Sequence, residues 1–263
     1  MESLLILIVS LLPVVVLFWY IYKKDSMQSE PFSQLFKALS LGVWSAVLAA
    51  TLEYVLLEIG VVPDTENLTS LVDSFSAAFF LAAIPEELMK FLMFWVVVNN
   101  NRHFDEHIDG IVYSSCVALG FAGIENVCYL FSNMDSWMTV GIVRALMAVP
   151  MHWGCGILMG YYFSLCHFGL KTDFKTKAMV LVAPILVHGI YDGLLFSVTV
   201  EPLLIFVVFV AMIYFLVKFH KKCNEKIKLL IEEDKKATLA RLYMTTEVEE
   251  LATATDDNQS TEI

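Results

Sequence analysis

The feature that most limits the fold of this chain is a group of charges inside a long apolar segment. Residues 74–98 are mostly hydrophobic and are long enough to cross a bilayer as an α-helix. Glu86, Glu87 and Lys90 lie in the middle of this run. One charge at the bilayer centre costs about 3 kcal/mol or more, so such side chains face the interior of a helix bundle or a water-filled cavity. The segment therefore predicts further helices around it.

The rest of the chain predicts an all-α membrane protein. Of its 263 residues 58% are hydrophobic and only 17% are charged, and the mean hydropathy is +0.68. Apolar runs of membrane-spanning length predict a polytopic bundle of about seven transmembrane helices. These spans are at about residues 3–22, 34–59, 74–98, 109–131, 139–165, 177–198 and 202–219.

The charges in the loops predict an orientation in the cell membrane. Lysine and arginine follow spans 1, 3 and 7 and precede span 6, whereas the loops at 60–73, 132–138 and 199–201 contain acids and no basic residue. Because cytoplasmic loops are enriched in basic residues, the N-terminus is expected outside and the C-terminus in the cytoplasm.

Two domains follow from the composition. Residues 1–219 are predicted to form the transmembrane domain, and its most polar spans lie within about 74–198. Residues 220–263 are predicted to be cytoplasmic, with a charged amphipathic helix over 220–243. After Met244 the chain has six acids and no basic residue, which is typical of a disordered tail.

Four successive spans carry polar or ionisable side chains. They are Glu86, Glu87 and Lys90 in span 3, Glu125 and Asn126 in span 4, His152 in span 5, and His188 and Asp192 in span 6. The i,i+4 spacing of His188 and Asp192 places both on one helix face. Counted from the predicted outer span ends, these groups lie about 9 to 20 Å deep, in two layers. Arg144, near the outer end of span 5, is expected to pair with Glu53 or Glu58 or to reach the interface.

Prolines and glycines accompany these polar groups. Pro85, Pro150 and Pro184 precede Glu86, His152 and His188, and each is expected to free a backbone carbonyl and kink its helix. Gly156 and other glycines permit close helix contact or leave room for an extended guest chain.

The ordered set of motifs resembles the PrsW-type intramembrane proteases, which belong with the CAAX prenyl endopeptidases and the bacteriocin-immunity membrane proteins. The motifs are EExxK, FxxxEN, HxxxG and HxxxD, and they run from Glu86 to Asp192. The resemblance covers about residues 74–198. It implies a membrane protease that cuts membrane-anchored proteins, with anti-sigma factors as the best-known substrate class.

The resemblance implies a role for each site residue. Glu86 or Glu87 would be the general base, with Glu87 favoured if Glu86 pairs with Lys90. His152 would orient water or carry protons, His188 steadied by Asp192 would stabilise the oxyanion, and Asn126 would add a donor. The CAAX relatives have FxxxH where this chain has FxxxEN, so Glu125 either replaces a histidine in activating water or binds a metal. Lys90 and Gly156 would support the site.

Several alternatives stay open at this point. No cofactor is assigned and metal-free chemistry is favoured, but a zinc ion would also be suited by His152, His188 and one carboxylate from Glu86, Glu87 or Glu125. The same buried groups would serve a proton- or ion-coupled transporter, and a scaffold without enzymatic activity is a third possibility. The expected partners are a single-span membrane protein and membrane lipid. No nucleotide-binding, soluble-hydrolase or nucleic-acid-binding pattern occurs in the sequence.

Overall fold

In the computed structural model, which describes residues 2–25, 28–60 and 68–259, the chain is a bundle of helices without a strand in these ranges. The helices are α1 Glu2–Lys24, α2 Phe32–Glu58, α3 Leu71–Ala77, α4 Ile84–Val98, α5 Asp109–Ser132, α6 Trp137–Leu146, α7 Ala148–His167, α8 Phe174–Val200 and α9 Ile205–Gln259. Six stretches are long and apolar enough to cross a membrane. With the segment of α3 and α4 they make seven spans, which confirms the predicted all-α class.

The third span is not a uniform α-helix. A π-helical turn, Ala78–Ala83, joins α3 to α4, and in it the Ile84 amide donates to the Phe79 carbonyl five residues earlier. Pro85 lies in the first turn of α4. Since proline has no amide hydrogen to donate, the wider turn before it keeps the chain helical where the sequence predicts a kink.

The fifth predicted span is broken into two helices. α6 ends at Leu146, Met147 leaves helical geometry with φ −123° and ψ −63°, and α7 begins at Ala148. Pro150 therefore lies in the first turn of α7, where a missing amide hydrogen costs little. The break places His152 near the start of a helix rather than in the middle of one.

Helix α5 is the centre of the bundle. It is buried along most of its length and packs against α1, α2, α4 and α7. Gly156 and Gly160 let α7 approach it closely, because a Cβ at Gly156 would lie 2.8 Å from the Ser114 carbonyl oxygen and one at Gly160 would lie 2.1 Å from the Gly110 carbonyl oxygen. The predicted supporting role of Gly156 thus corresponds to helix packing.

Helix α9 continues far beyond the predicted domain boundary at residue 219. Its buried side chains recur every three or four residues, at Met212, Leu216, Phe219, Cys223, Ile227 and Leu230. Packing of this stripe keeps residues 220–230 on the bundle, and the boundary at 219 stays a prediction from composition.

The tail also differs from the expectation. Disorder is predicted after Met244, but the helix runs on to Gln259, because the chain there contains no proline or glycine that would end it. Residues 260–263 of the tail, and Asp64 and Glu66 of the acidic loop, lie outside the described residues.

We call the end of the bundle that carries Lys23, Lys24 and Arg102 the basic end. There α1 ends, α4 is followed by α5, and α9 emerges beside the 99–108 loop, where the His107 amide donates to Asp234 at 2.7 Å.

Candidate active site

The ammonium group of Lys90 joins three of the predicted site residues. It lies 3.1 Å from Glu86 Oε2, 2.8 Å from Glu87 Oε1 and 3.0 Å from His152 Nδ1. It also lies 3.8 Å from the centre of the Phe121 ring. Both glutamates are on the first turn of α4, one helical turn before Lys90, so helix geometry brings them to the ammonium group. Lys90 is buried and its charge is balanced within the site.

His188 bridges the carboxylates of two helices. Its Nδ1 lies 2.9 Å from Glu87 Oε1, and its Nε2 lies 3.0 Å from Asp192 Oδ2. The second contact confirms the i,i+4 pairing predicted within α8. The His188 and His152 rings are perpendicular, with their centres 4.9 Å apart. The two histidines of α7 and α8 therefore belong to one site.

Glu125 completes the network from α5. One of its oxygens, Oε2, lies 3.0 Å from His152 Nε2 and accepts a hydrogen bond of 2.7 Å from Arg144. The expectation that Arg144 pairs with Glu53 or Glu58 is therefore wrong. The sequence did indicate Glu125 as the partner through its depth in the membrane, since Arg144 and Glu125 lie at similar distances from the outer ends of their spans.

Asn126 does not face the reacting groups. Its amide nitrogen donates to the Ser10 carbonyl of α1 at 2.8 Å, and its side-chain oxygen accepts from Arg144 Nε at 2.9 Å. One hydrogen of the amide predicted to serve an oxyanion is thus used between α1 and α5. The geometry assigns Asn126 to holding Arg144 and α1 in place.

The accessible side of the site is lined by carboxylates. The side chains of Glu86, Glu125 and Asp192 are 10%, 20% and 16% exposed, whereas that of Glu87 is fully buried. Glu53 of α2 is half-buried and is within electrostatic range of Glu86 and Glu125. Glu87 was expected to be the unpaired carboxylate, but it contacts both Lys90 and His188. Glu86 is the member of the pair that faces the opening.

Three residues have the chemistry of a zinc site. Glu86, His152 and His188 each offer a ligand atom within 4.8 Å of the other two, and two histidines with one glutamate are a known set of zinc ligands. The site has more carboxylates than cations: Lys90 and Arg144 face Glu86, Glu87, Glu125 and Asp192. A divalent ion would balance the excess negative charge. Lys90, however, already occupies hydrogen-bonding positions on Glu86 and His152. A zinc ion bound through His152 Nδ1 would displace Lys90 from that nitrogen.

Comparisons with known proteins identify a family. The profile of the PrsW family intramembrane metalloproteases matches residues 30–217. The chain is 35% identical over 184 residues to Protease PrsW of Bacillus subtilis (strain 168), covering 70% of this chain and 79% of the relative. It is 34% identical over 185 residues to Protease PrsW of Geobacillus kaustophilus (strain HTA426), covering 70% and 77%.

A third relative, Protease PrsW of Clostridioides difficile (strain 630), is 34% identical over 191 residues, covering 72% of this chain and 78% of the relative. No solved structure matched. The matched region contains every residue of the network described above.

Proposed function

Because the chain belongs to the PrsW family of intramembrane proteases, we propose that it is an endopeptidase that hydrolyses membrane-anchored, anti-sigma-factor-like proteins at the site around Lys90. The observation that supports this most directly is the contact network itself. Four helices supply carboxylates and imidazoles that lie within hydrogen-bonding distance of one another and open on one side. Peptide hydrolysis needs a base for water, a donor for the oxyanion and a proton for the leaving amine.

Glu86 is the general base in this proposal. It is the carboxylate of the pair on the accessible side, and its Oε2 lies 3.8 Å from His188 Nε2 and 4.0 Å from His152 Nδ1. A water molecule bound there would have Glu86 as acceptor. Glu87, fully buried between Lys90 and His188, fixes both of those side chains instead. This reverses the preference for Glu87 drawn from the sequence.

The two histidines have different roles because their partners differ. An ammonium group can only donate, so the contact with Lys90 makes His152 Nδ1 an acceptor and leaves its Nε2 hydrogen to Glu125. His152 is then neutral and holds Glu125 in place. Both nitrogens of His188 face carboxylates, so His188 carries the proton and positive charge suited to an oxyanion or a leaving amine.

Zinc, where bound, would be held by Glu86, His152 and His188 and would supply a Lewis acid that lowers the pKa of water. We favour hydrolysis without it, since Lys90 already donates to two of these three residues.

Access for a substrate helix is suggested by an apolar groove beside the site. A cavity of about 470 Å³ follows α3 and the π-helical turn from Leu71 to Ile84, two residues before Glu86. Its lining is almost entirely hydrophobic, as a contact with another membrane helix requires. We propose that the transmembrane segment of a single-span substrate binds here and unwinds toward Glu86.

Purified full-length protein, mixed in detergent with a single-span substrate, tests the function. We expect Glu86→Gln to lower the cleavage rate by about 100-fold or more, as loss of a general base does. Glu201→Gln is the matched control, because Glu201 is exposed at the end of α8 and its side chain forms no hydrogen bond or ion pair among the described residues. If Glu86→Gln keeps full activity and Glu87→Gln loses it, Glu87 is the general base. Full activity in both would refute the proposed mechanism.

Metal removal tests the chemistry separately. We expect protein treated with a zinc-selective chelator, with magnesium and calcium kept constant, to retain cleavage, because Lys90 and Glu86 act without an ion. The metal content is measured by elemental analysis on the same sample. Loss of cleavage that zinc restores, together with loss of bound zinc in His188→Ala, would establish the zinc-dependent version.

A further inference from the structure

A second group of acidic side chains lies at the basic end, far from Lys90. Asp25 follows α1, Glu106 lies in the 99–108 loop and Asp109 begins α5. One carboxylate oxygen from each lies within 4.8 Å of those of the other two. Asp25 and Asp109 are 1% and 0% exposed, so their charges are removed from water.

Each of these three carboxylates has an oxygen without a partner. Asp25 Oδ1, Glu106 Oε2 and Asp109 Oδ1 are buried and form no hydrogen bond. The second oxygen of each aspartate is held by backbone amides: Asp25 Oδ2 accepts from Glu30 at 2.9 Å, and Asp109 Oδ2 accepts from Glu106 at 2.7 Å. These amide bonds fix the orientation of Asp25 and Asp109 and leave their other oxygens free for a further ligand.

Arg241 of α9 is within electrostatic range of Glu106, but in the part of the chain that the structure describes the cluster has no paired cation. Among residues 2–25, 28–60 and 68–246, no lysine or arginine forms an ion pair with any of the three. Asp234 of α9 lies nearby but is occupied by the amides of His107 and Ile108. The cluster thus brings together buried carboxyl groups that no lysine or arginine of these ranges pairs with.

We propose that Asp25, Glu106 and Asp109 bind a divalent cation with a preference for oxygen ligands, Ca²⁺ or Mg²⁺, at the basic end of the bundle. Carboxylate oxygens are the ligands that these ions prefer. Two oxygens on opposite sides of Ca²⁺ are about 4.6 to 5.2 Å apart, which accommodates the spacing of the three oxygens. Backbone carbonyls and water would complete the coordination.

The bound ion would connect three parts of the chain. Asp25 belongs to the α1–α2 connection, Glu106 to the loop that links α4 with α5, and Asp109 to α5 itself. The same loop is held against α9 by Asp234. Because α4 carries Glu86 and α5 carries Glu125, an ion here would stabilise the relative positions of the two helices without touching the active site.

The effect of each ion on thermal unfolding of the full-length protein in detergent tests this site. After removal of divalent ions, we expect added Ca²⁺ or Mg²⁺ to raise the melting temperature in a saturable way. Glu106→Gln removes one ligand charge without breaking a side-chain hydrogen bond, and we expect it to weaken the ion's apparent affinity at least tenfold. Asp105→Asn is the matched control: Asp105 is an exposed acid of the same loop that bonds Gln28. It should retain wild-type affinity.

Terbium luminescence gives a second measurement that needs no variant. Tb³⁺ substitutes for Ca²⁺, and the Tyr113 hydroxyl donates to Glu30 beside the cluster, so we expect Tb³⁺ emission sensitised by tyrosine and competed away by Ca²⁺ or Mg²⁺. The proposal fails if neither ion shifts the melting temperature nor competes with Tb³⁺. It also fails if Glu106→Gln and Asp105→Asn weaken the response equally. The ions would then act by screening repulsion among the acidic residues in general, and not by binding at this site.

Discussion

Among single residues, Lys90 donates hydrogen bonds to three other site residues, Glu86, Glu87 and His152. A buried lysine without a partner would be costly, and a buried pair of glutamates would be as well, so each requires the other. Lys90 donates to both glutamates of α4 and to His152 of α7. The side chain therefore couples the orientation of two helices to the charge of one site.

Asn126 is either an oxyanion donor, as the sequence predicts, or a structural residue that holds Arg144 and α1. The first role would affect the cleavage rate and the second would affect stability. In Asn126→Ala the Arg144 Nε and the Ser10 carbonyl lose a partner, which we expect to cost about 1–3 kcal/mol of stability. The cleavage rate of the folded protein should fall by much less than the roughly 100- to 1,000-fold that follows loss of an oxyanion donor.

Thermal unfolding and single-turnover cleavage on the same preparation separate the two effects. Asn133→Ala is the control, since Asn133 is exposed and bonds only the Tyr129 carbonyl in its own helix. A loss of 100-fold or more in rate at an unchanged melting temperature would restore the oxyanion role of Asn126.

The contacts that the sequence predicts correctly are those within one helix. Helix geometry alone places His188 beside Asp192 and Glu86 beside Lys90. Contacts between helices, such as Glu87 with His188 and Glu125 with His152, depend on how each helix is rotated about its axis. The spacing of residues along the chain does not determine how each helix is rotated. For the same reason the two predicted layers of polar groups gave depth but not partners, and the structure joins them in one network.

At the scale of elements, the π-helical turn sets how the third span meets α8. Its extra residue per turn changes the direction of the side chains before it relative to those after it. Phe79 of this turn then lies against Gly189 of α8, the residue after His188, and a Cβ at Gly189 would be 2.4 Å from the Phe79 ring. The sequence identified the helix and its proline but not the turn, because the π-helical pattern has no distinct apolar period.

We predict that Gly189→Ala lowers stability by about 1–3 kcal/mol, the usual cost of an overpacked contact. It should also reduce cleavage, because α8 would shift beside His188. In the Phe79→Ala background the same substitution should have a much smaller effect, since the ring that it would contact is gone. Gly123→Ala is the control, because its new Cβ would meet Val14 at an ordinary 3.5 Å. Equal effects of Gly189→Ala in both backgrounds would contradict the packing argument.

For the whole molecule, the depth of the site determines where a substrate is cut. Measured along the helices from the basic end, Glu86, His188 and Glu125 lie about 18, 21 and 24 Å away. The hydrocarbon layer is about 30 Å thick. The site therefore lies beyond the middle of the bundle, on the side away from the basic loops, which the loop charges predict to be cytoplasmic.

We predict that a single-span substrate is cut in the outer half of its transmembrane segment or just beyond it. Mass spectrometry of both products locates the cut. A control substrate whose segment is lengthened by three apolar residues at its cytoplasmic end should be cut at the same distance from its outer end. A cut in the cytoplasmic third would show that the predicted orientation is wrong.

The divided third span also has a consequence for biosynthesis. Each central charge opposes transfer of a nascent helix from the translocon into lipid by about 2.5 to 3.5 kcal/mol. The third span carries three such charges, Glu86, Glu87 and Lys90, all in α4, which has 15 residues. Its stabilising partners, His152 and His188, are synthesised later. We therefore expect nascent chains that end before α7 to leave this segment poorly integrated. Stable insertion of the third span would then be the result of folding rather than its starting point.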